Sequence, residues 1–199
     1  MRAEKARLRE RFRAARLALS PPDRAHASAE IVARVRALPE WAAARTVGLY
    51  WPLASRGEVD VRPLLAAARA SGQAVAFPSV LSSTPPALAF RRVERDGDLV
   101  AGRWGLREPA PSAPHVEPGA LDLVVVPAFG ASRGGGRIGH GGGFYDAFLP
   151  RTGAARVGVV YASCLVDTLP AEDHDARLDA VVTEHEVTRI ARNRNGATP

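Results

Sequence analysis

The sequence predicts an α/β fold, a three-layer sandwich with a mainly parallel sheet and helices on both faces. Three observations lead there. Short apolar runs of strand length alternate with stretches of helical periodicity, the pattern of parallel strands joined by crossover helices. The most apolar run, Leu-Asp-Leu-Val-Val-Val over 121–126, is nearly continuous, as a strand buried on both faces requires. The chain has 199 residues, 46% of them hydrophobic, enough to bury one real core.

The elements follow in order. Residues 3–19 read as a helix, because Leu8, Phe12, Ala15 and Leu19 recur at helical spacing. On a helical wheel Lys5, Arg9 and Arg16 fall along one edge of that stripe, so the edge meeting the fold is cationic. Ser20 caps a second helix, with Pro21 and Pro22 at its start and Asp23 in its first turn, running to about Leu38. A strand is expected over 46–50 and a helix over 61–71, closed by Gly72. Further strands are expected over 74–78, 87–93, 121–126, 156–161 and 180–183, with a short helix over 144–149 stopped by Pro150. The proline-rich stretch 108–119 reads as a connecting loop. Residues 1–192 form one domain and 193–199 a loose tail; no internal repeat is present.

Composition narrows the function. A lone cysteine, Cys164, excludes an internal disulfide, and no ligand set for structural zinc is present. The charged start lacks the apolar run of a secretory signal, and no stretch approaches the roughly 20 apolar residues of a membrane span. A cytoplasmic monomer without membrane or nucleic-acid partners is the expectation. Most of the net charge of +6 lies within residues 1–16, which points to an anion site or a solvated face. A nucleic-acid contact through this helix would need interleaved surface aromatics, which residues 1–16 lack. Lys5 is the only lysine among 27 Lys and Arg.

The most informative segment runs from Gly134 to Asp146, with seven glycines among its first ten residues. Glycine lets backbone N–H groups approach a ligand closely, and several such groups before a helix make an anion cradle. Arg137 adds a fork suited to phosphate. The match of Gly134, Gly136 and Gly139 to a dinucleotide fingerprint is weak, since the acidic residue expected about 20 positions on is missing. A P-loop is excluded for want of its lysine. Asp146 is either a dipole-complementing helix residue or a Mg²⁺ ligand beside phosphate. Asp179, at the edge of the 180–183 strand, is a second carboxylate with a plain surface role as its alternative. His174 reads as a structural hydrogen-bond partner as readily as a catalyst. His140 and Cys164 gain no role from the residues alone. Together these point to a Mg·nucleotide site without identifying a second substrate.

At this point the sequence resembles the 5-formyltetrahydrofolate cyclo-ligase family. The resemblance runs through Lys5-x-x-Leu8-Arg9, Tyr50-x-Pro52, Gly57-Glu58-Val59-Asp60 and Trp104-Gly-Leu-x-Glu108-Pro109. It is densest in the block from Arg137 to Asp146 and in His174-Asp175-x-x-x-Asp179. It implies a Rossmann-like sheet and ATP- and Mg²⁺-dependent closure of 5-formyltetrahydrofolate to 5,10-methenyltetrahydrofolate through phosphorylation of the formyl oxygen. By the same resemblance Lys5, Arg9 and Arg137 hold ATP phosphates. The run Ile138, Gly139, His140, Gly141, Gly142, Gly143, Phe144 and Tyr145 completes the nucleotide site. Lys5, Arg137 and Tyr145 are the expected catalytic groups, and Asp146 and Asp179 the Mg²⁺ carboxylates. The folate would meet Leu53, Glu58, Trp104 and the 141–145 segment. Ser132 is a departure, standing where the family usually has Asp. A member that binds folate or nucleotide without turning it over is the alternative reading.

Overall fold

The computed structural model describes residues 1–102 and 105–191; Trp104 and the tail from residue 192 lie outside the described residues. Among the described residues the α-helices are α1 (Arg2–Ala18), α2 (Pro21–Arg36), α3 (Pro39–Ala43), α4 (Arg62–Ala70) and α5 (Phe144–Phe148). The strands are β1 (Thr46–Gly48), β2 (Ala74–Ser83), β3 (Pro86–Arg92), β4 (Leu99–Ala101), β5 (Arg107–Pro109), β6 (His115–Val116), β7 (Leu123–Pro127), β8 (Gly130–Ser132), β9 (Arg137–Ile138), β10 (Ala155–Val159), β11 (Leu165–Val166), β12 (Ala180–Val182) and β13 (Val187–Arg189).

Eight strands form the main sheet in the order β13-β12-β10-β7-β1-β2-β3-β6. Its centre, β12-β10-β7-β1-β2, is parallel, and antiparallel strands close both edges. The expected strands are all present. The 108–119 segment is less irregular than its prolines suggest, since it starts within β5 and contains β6, which pairs with β3. β2 runs longer than expected, because its far half pairs with β3 rather than with a parallel neighbour.

The residues of β7 show why its run is unbroken. Leu123 and Val125 face one core, with Ile31 and Val35 of α2 and Leu64 and Leu65 of α4. Val124 and Val126 face a second core, with Phe12 of α1, Phe90 of β3 and Phe148 of α5. Period-two alternation thus fills both faces of the sheet. Ser20 caps α2 as expected, its hydroxyl accepting from the Asp23 N–H at 3.2 Å.

The chain leaves β1 toward β2 on one side and leaves β7 toward β10 on the other. The carboxyl ends of β1 and β7 therefore bound the crevice where an α/β sheet binds ligands. Residues 49–61 follow β1 and residues 128–146 follow β7 at that edge. Within the second segment β8, β9 and the later β11 form a small separate sheet.

Candidate active site

α1 is docked across this edge by a row of side chains at helical spacing. Phe12 is fully buried, its ring lying over Gly130, where a Cβ would fall 2.4 Å from a ring carbon. Arg16 is buried, donates to the Ala128 carbonyl and lies 4.9 Å from the Phe129 ring centroid. Arg9 Nε donates to the Gly139 carbonyl at 2.9 Å. Lys5 Nζ donates to Glu172 at 2.9 Å and to Asp175 at 2.5 Å. The cationic edge read from the sequence is therefore the buried edge.

The Lys5 cluster sets its own protonation. Burial alone would lower the Lys5 pKa, but the bonds from Asp175 and Glu172 outweigh it and the ammonium is held above its usual value. Glu172 is held below the ordinary carboxylate range by Lys5. Burial pushes Asp175 up, yet the Lys5 bond and the Glu172 N–H bring it below its usual value. Glu172, His174 and Asp175 offer ligand atoms within 4.8 Å of one another.

The glycine run does more than lead into a helix. Gly130 to Ile138 forms the β8–β9 hairpin, and Ser132 staples its turn: the Ser132 hydroxyl accepts from the Gly136 N–H at 3.0 Å. Ser132 is buried and does not line the cavity described below. The position expected to depart from the family pattern therefore lies on the hairpin and not at the cavity. Beyond β9, Gly141 and Gly143 take positive φ, 89° and 69°. The φ of Gly141 is one that residues with a Cβ rarely adopt, and glycine there also keeps the loop clear of the Arg9 guanidinium, which a Cβ would approach to 3.1 Å.

These segments surround a cavity of about 920 Å³, lined by Lys5 and Arg9, by Arg137 through Asp146, by Tyr50, Trp51 and Glu58, and by an apolar wall including Pro78, Val80 and Leu88. Arg137 Nη2 donates to Asp146 Oδ1 at 2.7 Å, and the same oxygen accepts the Ala176 N–H at 3.0 Å. Among the described residues no hydrogen bond reaches Asp146 Oδ2 or Arg137 Nε. The Tyr145 hydroxyl is buried without a partner among the described residues. Burial pushes its ionisation well above the ordinary tyrosine range, against the pull of Arg137, so it stays a neutral donor.

Glu58 is held more firmly than the sequence suggests. Its Oε2 accepts the Leu53 N–H at 2.8 Å and its Oε1 lies 3.1 Å from His140 Nε2. The Tyr161 hydroxyl donates to the Glu58 carbonyl at 3.3 Å, and the Tyr50 hydroxyl donates to the Val59 carbonyl at 2.9 Å. Leu53 itself does not line the cavity; its contribution is the N–H that orients Glu58.

Asp179 is the clear correction. It stands at the start of β12, and its Oδ2 accepts the Arg156 N–H at 2.8 Å at the start of β10. That is the amino edge of the parallel strands, whereas Asp146 lies at the carboxyl edge. Asp122 does the same for the N–H groups of Arg45 and Thr46 at the start of β1, at 2.8 and 2.9 Å. The two carboxylates expected to share a metal are thus turned to different partners, Asp146 to Arg137 at the cavity and Asp179 to a backbone N–H of β10, and Asp179 does not line the cavity. Glu172 and Asp175 line the cavity that Asp146 and Glu58 also line. The sequence reading gave them no role, although Asp175 lay in the resembling block.

The family model of the 5-formyltetrahydrofolate cyclo-ligases matches residues 1–184. The 5-formyltetrahydrofolate cyclo-ligase of Escherichia coli K12 is 31% identical over 180 residues, covering 88% of this chain and 98% of that protein. That of Mycolicibacterium smegmatis is 42% identical over 92 residues, 45% of this chain, and the match spans about half of that relative, 47%. The NMR structure of Aquifex aeolicus 5,10-methenyltetrahydrofolate synthetase matches with a TM-score of 0.82 at 30% identity, over 98% of this chain and 95% of that one. A 5,10-methenyltetrahydrofolate synthetase from Mycoplasma pneumoniae shares the fold at a TM-score of 0.74 and 24% identity, over 91% and 99% of the two chains.

Proposed function

This chain belongs to the 5-formyltetrahydrofolate cyclo-ligase family, and on that premise we propose that it closes 5-formyltetrahydrofolate to 5,10-methenyltetrahydrofolate at the expense of Mg·ATP, releasing ADP and phosphate. The observation that carries the reading is the meeting, in one cavity, of the α1 cations, the positive-φ glycine loop and an apolar wall with one rigid carboxylate, Glu58.

An amide oxygen is a poor leaving group. ATP supplies a phosphoryl group that makes it a good one, after which attack by N10 on the formyl carbon and loss of phosphate leave the methenyl bridge. The protein's task is then positioning and charge stabilisation. Arg137, fixed by Asp146, and Arg9, fixed by Gly139, present guanidinium groups beside the glycine N–H donors. Lys5 uses two of its three N–H donors on Glu172 and Asp175, which leaves the third for a phosphate oxygen. The Tyr145 hydroxyl is the neutral donor available to an oxygen gaining charge in the cavity. Glu58 accepts N–H groups of the pterin, and Val80 and Leu88 cover its flat face.

A Mg²⁺ ion fits the donor set, which is hard carboxylate oxygen beside a phosphate site. Asp146 would hold it through the oxygen that Arg137 leaves, and the ion would neutralise phosphate charge. Among the described residues no helix is long and apolar enough to cross a membrane. A cytoplasmic monomer is the setting this reading takes.

The test is to combine the protein with Mg·ATP and 5-formyltetrahydrofolate and follow methenyltetrahydrofolate by its absorbance. Product that requires all three components supports the reading. Binding of folate and ATP without product would replace it with a binding role.

A further inference from the structure

His140 belongs by position to the glycine loop, yet its side chain turns to the other substrate's side of the cavity. Its Nε2 lies 3.1 Å from Glu58 Oε1 and its Nδ1 lies 3.0 Å from Arg56 Nη1. The ring packs edge-on against Phe129, with centroids 4.6 Å apart. A guanidinium can only donate, so Nδ1 must accept and carries no proton. The proton is then on Nε2, which donates to Glu58. Arg56 thereby fixes the tautomer, and the tautomer aims an N–H at the carboxylate, as a partner on the second ring nitrogen does elsewhere.

Glu58 needs such support. Its side chain is only 6% exposed, and a buried carboxylate is costly unless hydrogen-bonded. Leu53 satisfies Oε2, and Oε1 has His140. The backbone around Glu58 is already immobilised by Tyr161 and Tyr50, so the remaining freedom is the carboxylate's own rotation. We propose that the Arg56–His140–Glu58 relay holds the Glu58 carboxylate in the rotation that receives N–H donors of a heterocyclic substrate. His140 is thus a positioning residue for the folate and contributes little to the nucleotide. The inference rests on the cyclo-ligase reading for the identity of that substrate.

The experiment compares wild type with His140→Ala, His140→Gln and His140→Asn. Gln keeps a donor at the Nε2 level, whereas Asn reaches only to the Nδ1 level. Calorimetry gives 5-formyltetrahydrofolate binding without ATP, and steady-state kinetics give KM for each substrate and kcat. His140→Ala should weaken folate binding about tenfold, the scale of a lost hydrogen bond to a charged group. Gln should restore most of the loss, Asn little, and KM for ATP should stay within about twofold, well short of that scale. The imidazole ¹⁵N spectrum at pH 8, with the His140 signals identified by their loss in His140→Gln, should show the Nε2–H tautomer. Unchanged folate affinity, an equal loss for ATP, or the Nδ1–H tautomer would overturn the relay. Failure of the wild type to bind reduced folate would instead overturn the cyclo-ligase reading, and the tautomer would still decide the relay.

Discussion

Gly130→Ala isolates the contact that docks α1. The new Cβ would lie 2.4, 2.5 and 2.7 Å from three atoms of the Phe12 ring. Carbon atoms rest about 3.5–4.0 Å apart, so the ring must retreat by about 1 Å. Phe12 is fully buried and has no open side to move into. Overpacking of this kind costs about 1–3 kcal/mol. Gly130 does not hold a positive φ, so alanine also recovers about 0.4–1 kcal/mol by restricting the unfolded chain. The expected net loss is about 1–2 kcal/mol, read as a lower urea midpoint at unchanged slope. Because α1 carries Lys5 and Arg9, ATP binding should weaken in the same variant, and α1 should become the first site of proteolytic cleavage. Phe12→Leu makes room for the methyl group, so the double variant should be no less stable than Phe12→Leu alone. A neutral Gly130→Ala, or strictly additive losses in the double variant, would refute the argument.

Three further outcomes are expected. Asp146→Asn should raise the Mg²⁺ concentration for half-maximal turnover by at least the roughly tenfold typical of disturbing a metal's support, whereas Asp179→Asn should leave that requirement alone and cost about 1–2 kcal/mol of stability. Equal effects of the two on Mg²⁺ dependence would contradict the placement of Asp179 at the far edge of the sheet. Ser132→Ala removes the bond to the Gly136 N–H and should lower stability by about 1 kcal/mol while turnover persists; lost turnover in a stable variant would give Ser132 a chemical role. The Lys5 cluster should shape stability against pH at both ends. Glu172 and Asp175 are depressed when folded, so their contribution is present above the unfolded values, 4.5 and 3.8, and is lost as pH falls through the folded ones. Lys5 is raised, so its contribution is present below 10.5 and is lost as pH rises through the folded value. The stability difference between wild type and Lys5→Met should therefore be flat near neutrality and shrink at either extreme; a difference independent of pH would contradict the pairing.

The regular elements and the glycine-loop side of the cavity were legible in the sequence because each leaves a local mark. The α1 stripe is a period, β7 is an unbroken apolar run, and positive-φ loops demand glycine. What escaped depends on partners remote in the chain. β9 is two residues long and is a strand only because β8 folds back on it. Glu172 and Asp175 meet Lys5 across some 170 residues, which no local pattern records. Asp179 was placed correctly beside a strand, and its position just before Ala180 puts it at the amino end; what no local pattern records is that its partner is a backbone N–H of β10. Here the preceding crossover returns to the amino edge, and the carboxylate goes to a backbone N–H. His140 looked idle because a single histidine acquires meaning only from what faces its two nitrogens.

The central claim is that ATP activates the formyl oxygen of 5-formyltetrahydrofolate in this cavity. Its most direct test uses 5-formyltetrahydrofolate carrying ¹⁸O in the formyl group, turned over with Mg·ATP in ordinary water, with the released phosphate analysed by mass. The account predicts one ¹⁸O in each phosphate released with methenyltetrahydrofolate. Unlabelled phosphate alongside that product would show that the oxygen leaves without passing to phosphorus and would contradict it.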